Sequence, residues 1–151
     1  MTNDAIVIER MRSEHLPDVL RIEQASYPDP WSHASFSKEL RSSPPSLAVV
    51  ARRREAVVGY IVAWLVLDEA HIGNVAVAPE TRRLGIGRMM MEWLQGHAMD
   101  QGCTCSSLEV RDSNTAAKQL YTQLGYLGVG RRQQYYRNPR EDAILMVKTM
   151  K

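Results

Sequence analysis

A basic, glycine-containing segment at residues 75–88 carries the residue types best suited to holding an anion. Gly85 and Gly87 lack a Cβ atom, so the backbone at these positions can approach a ligand closely. A valine-rich run precedes the glycines and an amphipathic run follows them, which predicts a strand, a turn and the N-terminus of a helix. The free N–H groups and positive dipole end of a helix N-terminus favour a phosphate-like anion. Forked donors for such an anion are added by Arg82, Arg83 and Arg88.

Two common phosphate-binding loops do not fit this segment. A P-loop requires Lys and then Ser or Thr after its last glycine, whereas Arg88 and Met89 follow Gly87. A dinucleotide-binding loop requires a third glycine where this chain has Met90. It also requires flanking β-α-β units, and the strands predicted before the segment form a meander instead. The segment therefore predicts an anion site of another kind.

Two further side chains could transfer protons. Glu109 lies between Leu108 and Val110 in a run typical of a strand, so its side chain is expected to point away from theirs. A partly buried carboxylate in a cleft can act as a general base, and the alternative is an ordinary solvent-facing strand glutamate. Tyr121 lies on the apolar face of a predicted helix, where its phenol is either an acid or a core side chain with a satisfied hydroxyl. The residues alone leave both alternatives open.

The hydrophobic pattern predicts the framework that positions these residues. Strands are predicted at residues 6–11, 47–51, 57–67, 71–77, 107–110, 126–132 and 143–147, the last two joined by a polar loop. Helices are predicted around residues 16–22, 32–40, 85–101 and 117–124, with a break at residues 42–45 after the second. The buried face of the third helix is expected to contain Ile86, Met89, Met90, Trp93, Leu94 and His97. The order β-α-α-β-β-β-α-β-α-β-β indicates a mixed α+β domain.

Length and composition are those of one soluble domain. The 151 residues are 44% hydrophobic and 24% charged, and no linker or repeat divides residues 1–151. A balance of 19 basic and 17 acidic residues, with a net charge of +2, argues against nucleic acid as the main ligand. The polar start at residues 1–4 and the shortness of the apolar runs predict a cytoplasmic protein without a membrane partner. Cys103 and Cys105 are expected to be reduced thiols, and no ligand spacing predicts a metal site.

Several motifs, in order along nearly the whole chain, resemble the GNAT acetyltransferases. Arg82-x-x-Gly85-x-Gly87 matches the family signature Q/R-x-x-G-x-G/A, whose loop wraps the pyrophosphate of coenzyme A. Other segments, over about residues 6–150, resemble the RimI-type ribosomal-protein alanine acetyltransferases of that family. They are Ile22-Glu23-Gln24, Pro30-Trp31-Ser32, Leu67-Asp68-Glu69-Ala70, Leu108-Glu109-Val110-Arg111, Ser113-Asn114, Leu120-Tyr121, Leu124-Gly125-Tyr126, Tyr135-Tyr136 and Glu141-Asp142-Ala143. The resemblance implies the GNAT fold, a mixed, strongly twisted sheet of about seven strands flanked by about four helices.

The resemblance also implies acetyl-CoA as cosubstrate. The acetyl group would move directly from the thioester to an amine in a ternary complex, with Glu109 as base and Tyr121 as acid. Asn114 is typical of a helix cap, and the family has a coenzyme-contacting asparagine at this place. The strand backbone at Val75, Ala76 and Val77 would contact pantetheine and supply oxyanion donors. The other coenzyme contacts would be Arg82, Arg83, Leu84, Gly85, Ile86, Gly87 and Arg88.

The acceptor that the resemblance implies is the N-terminal α-amine of a protein, the alanine of a small-subunit ribosomal protein. From ordinary pKa values, an α-amine costs about 3.4 kcal/mol less to deprotonate at neutral pH than a lysine amine. The residues expected beside the peptide are Trp31, Glu69, Tyr135 and Tyr136. For the aromatic residues, which are predicted in loops, the alternative is local packing, and for Glu69 it is a strand-end acid. His71 is expected to be a satisfied strand histidine.

Three alternatives to this function remain at the level of sequence. An enzyme of the same fold could acetylate lysine or a small amine. A non-catalytic module could bind acetyl-CoA without turning it over, although Glu109 and Tyr121 argue against that. A ping-pong enzyme could form an acetyl-thioester on Cys105 before the acceptor arrives.

Overall fold

The computed structural model describes residues 5–42 and 46–150, and it confirms the predicted order of elements. The strands are β1 (Ile6–Arg10), β2 (Ser46–Arg53), β3 (Ala56–Val66), β4 (Glu69–Val77), β5 (Cys105–Arg111), β6 (Leu127–Arg137) and β7 (Arg140–Thr149). The helices are α1 (Leu16–Ser26), α2 (His33–Arg41), α3 (Ile86–Asp100) and α4 (Thr115–Gln123). Within the described ranges, no helix is long and apolar enough to cross a membrane. The polar start at residues 1–4 and most of the break predicted at residues 42–45 lie outside the described residues.

The seven described strands form one mixed sheet in the order β1-β2-β3-β4-β5-β7-β6. Neighbouring strands are antiparallel, except that β4 and β5 run parallel. This parallel pairing covers only the start of β4, up to Ile72, and the first part of β5, up to Leu108. Beyond these two residues β4 continues to Val77 and β5 to Arg111 without pairing to each other. The sheet therefore has an opening between the ends of β4 and β5.

Helices cover both faces of the sheet, and each face has its own core. On one face, side chains of β2, β3 and β5 pack against α3 and α4 around Met91, Leu94 and Tyr121. On the other face, β2 and β3 pack against α1 and α2 around Ile22 and Phe36. Residues along β2 and β3 alternate between the two cores, as the period of a strand requires. The predicted α+β fold is confirmed.

Cap residues mark the helix starts where the sequence predicted them. Ser32 Oγ accepts a hydrogen bond from the backbone N of Ser35 at 3.1 Å, at the start of α2. Asn114 Oδ1 accepts one from the backbone N of Ala117 at 3.2 Å, at the start of α4. Before α3, Gly85 has a φ of 81° and provides no side-chain cap. The first N–H groups of α3 are therefore not occupied by a capping side chain.

The buried face of α3 is rotated by about one residue from the predicted one. Met89 is 40% exposed, and Trp93 stacks on His97 with ring centroids 5.1 Å apart at the margin of the core. The buried positions that the prediction omitted are Met91, Gln95 and Ala98. An apolar stripe on a helix is broad, so contact with the sheet decides its centre and spacing alone does not.

The polar loop predicted between the last two strands is instead a continuous hairpin. Only residues 138–139 separate β6 from β7, so Tyr135 and Tyr136 lie on a strand and the loop assignment was wrong. The β6–β7 register shifts between Arg132 and Tyr136, and Gln134 has a φ of 51°. The irregularity and the polar side chains hide the two-residue period that identifies a strand, while pairing with β7 still satisfies the backbone.

Candidate active site

The opening between β4 and β5 begins at a bulge in β4. The β3–β4 register shifts between Val62 and Ala63, so Gly73 is an extra residue in β4. A Cβ atom at Gly73 would lie 2.1 Å from the ring of Trp64, so a larger residue would displace this tryptophan. The pairing of β4 with β5 ends at the residue before the bulge, Ile72. The bulge therefore marks the place where β4 leaves its parallel neighbour.

Glu109 is the first β5 residue that follows the part paired with β4, and it stands at the edge of the opening. Its side chain is 10% exposed. Oε1 lies 3.1 Å from Nε2 of His71, and Oε2 lies 3.5 Å from Nε of Arg132. Each carboxylate oxygen thus faces a nitrogen, so burial does not leave the group without partners.

Glu109 and Tyr121 lie on opposite faces of the sheet. Leu108 and Val110, on either side of Glu109, belong to the same core as Tyr121. Because successive strand side chains alternate, Glu109 points to the face that α1 and α2 cover. Tyr121 lies on α4, on the other face. The predicted base and the predicted acid therefore lie on two faces of the sheet.

The phenol of Tyr121 is buried, and burial raises its pKa well above the ordinary value. The neighbouring phenols of Tyr126 and Tyr136 add to this shift. The ring packs edge-on against Tyr126, with centroids 6.0 Å apart. No hydrogen-bond partner of the Tyr121 hydroxyl is found among the residues that the structure describes. At neutral pH the hydroxyl is therefore protonated and available to a ligand.

The turn before α3 has two glycines with different roles. A Cβ atom added to Gly85 would meet nothing within 4 Å, so glycine is favoured there by the left-handed φ. A Cβ atom added to Gly87 would lie 3.4 Å from Leu120 of α4 and 3.7 Å from Val77 of β4. The start of α3, the middle of α4 and the end of β4 therefore meet around one space, which a side chain at this position would narrow.

Two arginines of this turn tie it to neighbouring elements. Arg82 donates from Nε to the carbonyl of Val77 and from Nη2 to Oγ of Ser26, each at 3.1 Å. Arg88 donates from Nη2 to Oε1 of Gln123 at 2.7 Å, which bridges α3 and α4. Both guanidinium groups thus lie beside the space at the start of α3 and retain further N–H donors for an anion.

The remaining residues predicted to contact the coenzyme differ in their exposure and in their position. Arg83 and Leu84 are exposed on the turn. Ile86 is buried in a small core with Met90, so only its backbone can face a ligand. Asn114 caps the start of α4, at the opposite end of that helix from the contact with Arg88. The structure therefore brings the turn residues together and places Asn114 apart from them, directly after β5.

Three aromatic rings lead from the α1–α2 loop to the partner of Glu109. Trp31 stacks on Trp64 with centroids 6.4 Å apart, and Trp64 stacks on His71 with centroids 5.9 Å apart. The planes of the second pair are only 14° apart. Trp31, predicted to border the peptide, is therefore connected to the opening through two rings.

Glu69 joins the same cluster through Ser107. Ser107 donates its hydroxyl hydrogen to Oε2 of Glu69, and its Oγ lies 2.8 Å from Nδ1 of His71. The side chain of Glu69 is 48% exposed. This carboxylate, also predicted to face the peptide, is thus connected to Glu109 through Ser107 and His71.

The β6–β7 hairpin brings the two adjacent tyrosines to the border of the site. The rings of Tyr135 and Tyr136 pack edge-on with centroids 5.1 Å apart. The guanidinium of Arg111 lies 4.3 Å from the centroid of the Tyr136 ring, and Glu141 accepts from Arg111 at 3.2 Å. Burial raises the pKa of Tyr136 to about 12, and the charge of Glu109 contributes to the shift. Tyr136 therefore faces the opening, whereas Tyr135 is half exposed.

Sequence reasoning missed two residues of this region, Tyr27 and Glu23. The hydroxyl of Tyr27 donates to the carbonyl of Val75, in the part of β4 that does not pair with β5. Glu23 is 1% exposed and accepts hydrogen bonds from Tyr60 and, at 2.8 Å, from Asn74. Glu23 had two local signals, its position on the apolar side of α1 and its place in the family-like segment Ile22-Glu23-Gln24, but neither gave its partners, which come from distant strands.

The surroundings of the two cysteines do not favour a reactive thiolate. Cys103 and Cys105 are free, as expected. Burial raises the pKa of the Cys105 thiol, and the charges of Glu69 and Asp68 raise it further, which disfavours the reactive thiolate. Within the described ranges, no group of three or more His, Cys, Asp or Glu side chains is arranged to hold a metal ion.

Comparison with known proteins identifies the family. Residues 16–126 match the model of the Acetyltransferase (GNAT) family. The [ribosomal protein bS18]-alanine N-acetyltransferase of Salmonella typhimurium is 36% identical over 141 residues, 92% of this chain and 94% of that protein. The crystal structure of the ribosomal-protein-S18-alanine N-acetyltransferase from Escherichia coli matches with a TM-score of 0.89 and 32% identity, over 97% of this chain and 94% of that one. Ard1 from Thermoplasma volcanium matches with a TM-score of 0.91 and 27% identity, over 97% and 99% of the two chains. This chain therefore belongs to the GNAT family of acetyltransferases and, within it, to the RimI type that its sequence resembles.

Proposed function

We propose that this chain transfers an acetyl group from acetyl-CoA to the N-terminal α-amine of a protein, an alanine of a ribosomal protein of the bS18 kind. One observation carries the proposal: Glu109 stands at the edge of the opening on one face of the sheet, and Tyr121 lies on the other face. A thioester and an amine that meet in this opening each find a proton-transferring side chain on their own side. The names of the relatives support the acceptor. Such an acceptor puts the activity in the cytoplasm, and residues 1–151 act as one domain.

The coenzyme side of the site is the face covered by α3 and α4. The first N–H groups of α3 bind the diphosphate, because they carry no side-chain cap and lie at the positive end of the helix dipole. The space beside Gly87 receives the pantetheine arm. The turn residues that surround these groups are Arg82, Arg83, Leu84, Gly85, Ile86, Gly87 and Arg88, with Asn114 at the far end of α4.

The end of β4 binds the reactive part of the coenzyme. Val75, Ala76 and Val77 do not pair with β5, so backbone N–H groups on that side can bond to pantetheine as if to an added strand, while the carbonyls of Val75 and Val77 accept from Tyr27 and Arg82. The same N–H groups stabilise the oxyanion of the tetrahedral intermediate. Arg82 holds the carbonyl of Val77 and thereby fixes the end of this strand.

The acceptor peptide binds on the face covered by α1 and α2. Its surroundings are the α1–α2 loop with Trp31 and the β6–β7 hairpin with Tyr135 and Tyr136. Glu69 offers a half-exposed carboxylate at the edge of the same cluster. An acceptor amine that reaches the opening from this side meets Glu109 first.

The chemistry is a direct transfer. Glu109 takes a proton from the α-amine, directly or through one water, as the nitrogen attacks the thioester carbonyl. The tetrahedral intermediate then expels the thiolate, and the hydroxyl of Tyr121 donates a proton to it. Burial keeps the Tyr121 phenol protonated until that step. An α-amine suits this base, since a lysine amine would cost about 3.4 kcal/mol more to deprotonate at neutral pH.

A comparison of three peptides tests the acceptor. The first has a free N-terminal alanine, the second is the same peptide with a blocked N-terminus, and the third is blocked but contains lysine. We expect acetyl-CoA turnover with the first peptide only. Turnover with the third would replace the proposal by lysine acetylation, and coenzyme binding without any turnover would replace it by a silent module. An acetylated Cys105 in enzyme that has met no acceptor would replace direct transfer by a ping-pong route.

Replacement of the base tests the mechanism. Glu109→Gln preserves the shape of the side chain, so we expect kcat/KM to fall by a factor of about 10² to 10⁴ while calorimetry shows unchanged acetyl-CoA affinity. Glu92→Gln makes the same replacement at an exposed position on α3 and should leave the kinetics as in the wild type. A Glu109→Gln enzyme with wild-type kcat/KM would remove Glu109 from the mechanism.

A further inference from the structure

His71 lies between two carboxylates in a position that the proposed reaction does not explain. It pairs with Trp64 of β3 on one side and with Ser107 of β5 on the other. Nδ1 lies 2.8 Å from Ser107 Oγ, and Nε2 lies 3.1 Å from Oε1 of Glu109. The side chain is 30% exposed, so its contacts with protein groups dominate its surroundings.

Ser107 determines which ring nitrogen of His71 carries a hydrogen. A hydroxyl has one hydrogen, and Ser107 donates it to Oε2 of Glu69. Toward His71, the Ser107 oxygen can therefore only accept, so Nδ1 of the ring must be protonated. In a neutral imidazole the second nitrogen, Nε2, would then have only a lone pair. This lone pair would face a carboxylate oxygen of Glu109 at 3.1 Å, which is a repulsive contact between two acceptors.

A proton between Nε2 and Oε1 removes that repulsion. We propose that His71 and Glu109 hold one proton between them, and that His71 is a positioning residue which keeps the general base ionised and oriented. The inference rests on the proposed function only for the role of Glu109 as base. With the proton on Nε2, Oε2 of Glu109, which has Nε of Arg132 3.5 Å away, is the oxygen that accepts the proton of the amine. In that transfer one N–H bond of the amine breaks and one O–H bond forms at Oε2, while the proton on Nε2 stays in place.

Charged and titratable groups face this pair from three strands. Glu69 of β4 lies on the Nδ1 side of the ring, with its Oε2 4.0 Å from Nδ1, and Glu109 of β5 lies on the Nε2 side. From β6, Arg132 approaches the other oxygen of Glu109 and Tyr136 interacts with the Glu109 charge. Two carboxylates thus contact the imidazole, whereas the guanidinium is separated from the ring by Glu109.

The fourth neighbouring element, β3, contributes Trp64, whose uncharged ring stacks on the imidazole. The same kind of stack occurs on α3, where His97 lies on Trp93 with centroids 5.1 Å apart. No carboxylate contact of His97 is found in the described part of the chain. A comparison of the two histidines therefore separates the effect of the carboxylates from the effect of stacking.

Removal of the imidazolium should change how the reaction depends on pH. His71→Gln keeps a polar side chain near Glu109 but removes the positive charge, so the carboxylate would gain its proton at a higher pH. Because the reaction needs ionised Glu109, we expect the acidic limb of the kcat/KM profile to move up by about one pH unit. His97→Gln loses a similar ring stack and should leave this limb where it is in the wild type. An acidic limb in His71→Gln that coincides with the wild-type limb would overturn the proposal.

A second measurement does not depend on turnover. The chain has four histidines, so ring-nitrogen NMR can resolve His71. At neutral pH we expect both of its ring nitrogens to be protonated in the wild type, and Nε2 to lose its proton in Glu109→Gln. An unprotonated Nε2 in an active wild-type enzyme would overturn the shared proton and leave the proposed function intact. A wild-type enzyme that acetylates no peptide would refute the proposed function, and the NMR experiment would still decide whether the pair holds a proton.

Discussion

The side-chain amide of Asn74 donates a hydrogen bond to Oε1 of Glu23 at a distance of 2.8 Å. This bond joins α1 to β4 at the residue before Val75, where β4 borders the opening. Glu23 also accepts from the hydroxyl of Tyr60 and, at 2.9 Å, from the backbone N of Trp31. One buried carboxylate thus fixes the positions of α1, the α1–α2 loop, β3 and β4 relative to each other. The acceptor side of the site therefore depends on an interaction in the core.

Glu23→Ala would leave the three donors without an acceptor inside the protein. An unpaired buried donor costs about 1–3 kcal/mol, so we expect the free energy of unfolding in urea to fall by about 3 kcal/mol or more. Glu14→Ala is the matched control, because that side chain is 69% exposed and pairs with Arg12 at the surface. This control should unfold as the wild type does. Equal stability of Glu23→Ala and the wild type would show that the carboxylate does not organise the interior.

The framework of the site could be predicted from the sequence because its signals are local. Ser32 and Asn114 cap helices within three residues of themselves, and the left-handed φ at Gly85 is one that glycine adopts readily. The alternation of Leu108, Glu109 and Val110 also gave the direction of the Glu109 side chain correctly.

The surroundings of Glu109 could not be predicted in this way. His71 and Arg132 come from β4 and β6, and their distances from Glu109 depend on the register of three strands. The bulge at Gly73, which shifts that register, is explained by the ring of Trp64 on the neighbouring strand. Contacts across strands leave no periodic signal along the chain. The sequence pattern therefore identified Glu109 as the candidate base but not the side chains that surround its carboxylate.

Gly85→Ala tests the turn before α3. An L-residue at a φ of 81° is strained by about 1–2 kcal/mol, and the added methyl group would meet nothing within 4 Å. We expect the chain to relieve this strain by moving the turn, which lowers both the free energy of unfolding and the affinity for acetyl-CoA measured by calorimetry. Gly96→Ala is the control, since Gly96 is helical and also has open space around it. It should raise the free energy of unfolding by about 0.5–1 kcal/mol and leave acetyl-CoA binding unchanged. Wild-type affinity in Gly85→Ala would mean that the turn does not hold the coenzyme.

Tyr121 and Tyr126 form a natural pair for the last test, because their rings touch and their hydroxyls have different partners. The hydroxyl of Tyr126 lies 2.7 Å from Oγ of Ser106 in the core. The hydroxyl of Tyr121 has no hydrogen-bond partner among the described residues. A hydroxyl that the described residues leave without a partner is the kind of group that a bound ligand can use.

Tyr121→Phe keeps the ring and removes only this hydroxyl. We expect the free energy of unfolding to change by less than about 1 kcal/mol, because no hydrogen bond within the described structure is lost. Single-turnover measurements should show acetyl transfer slowed by a factor of about 10² or more, since the departing thiolate loses its proton donor. Tyr126→Phe should do the reverse, with unfolding easier by about 1 kcal/mol and acetyl transfer at the wild-type rate. If Tyr121→Phe transfers acetyl groups as fast as the wild type, the thiolate receives its proton from another group and Tyr121 only packs against the core.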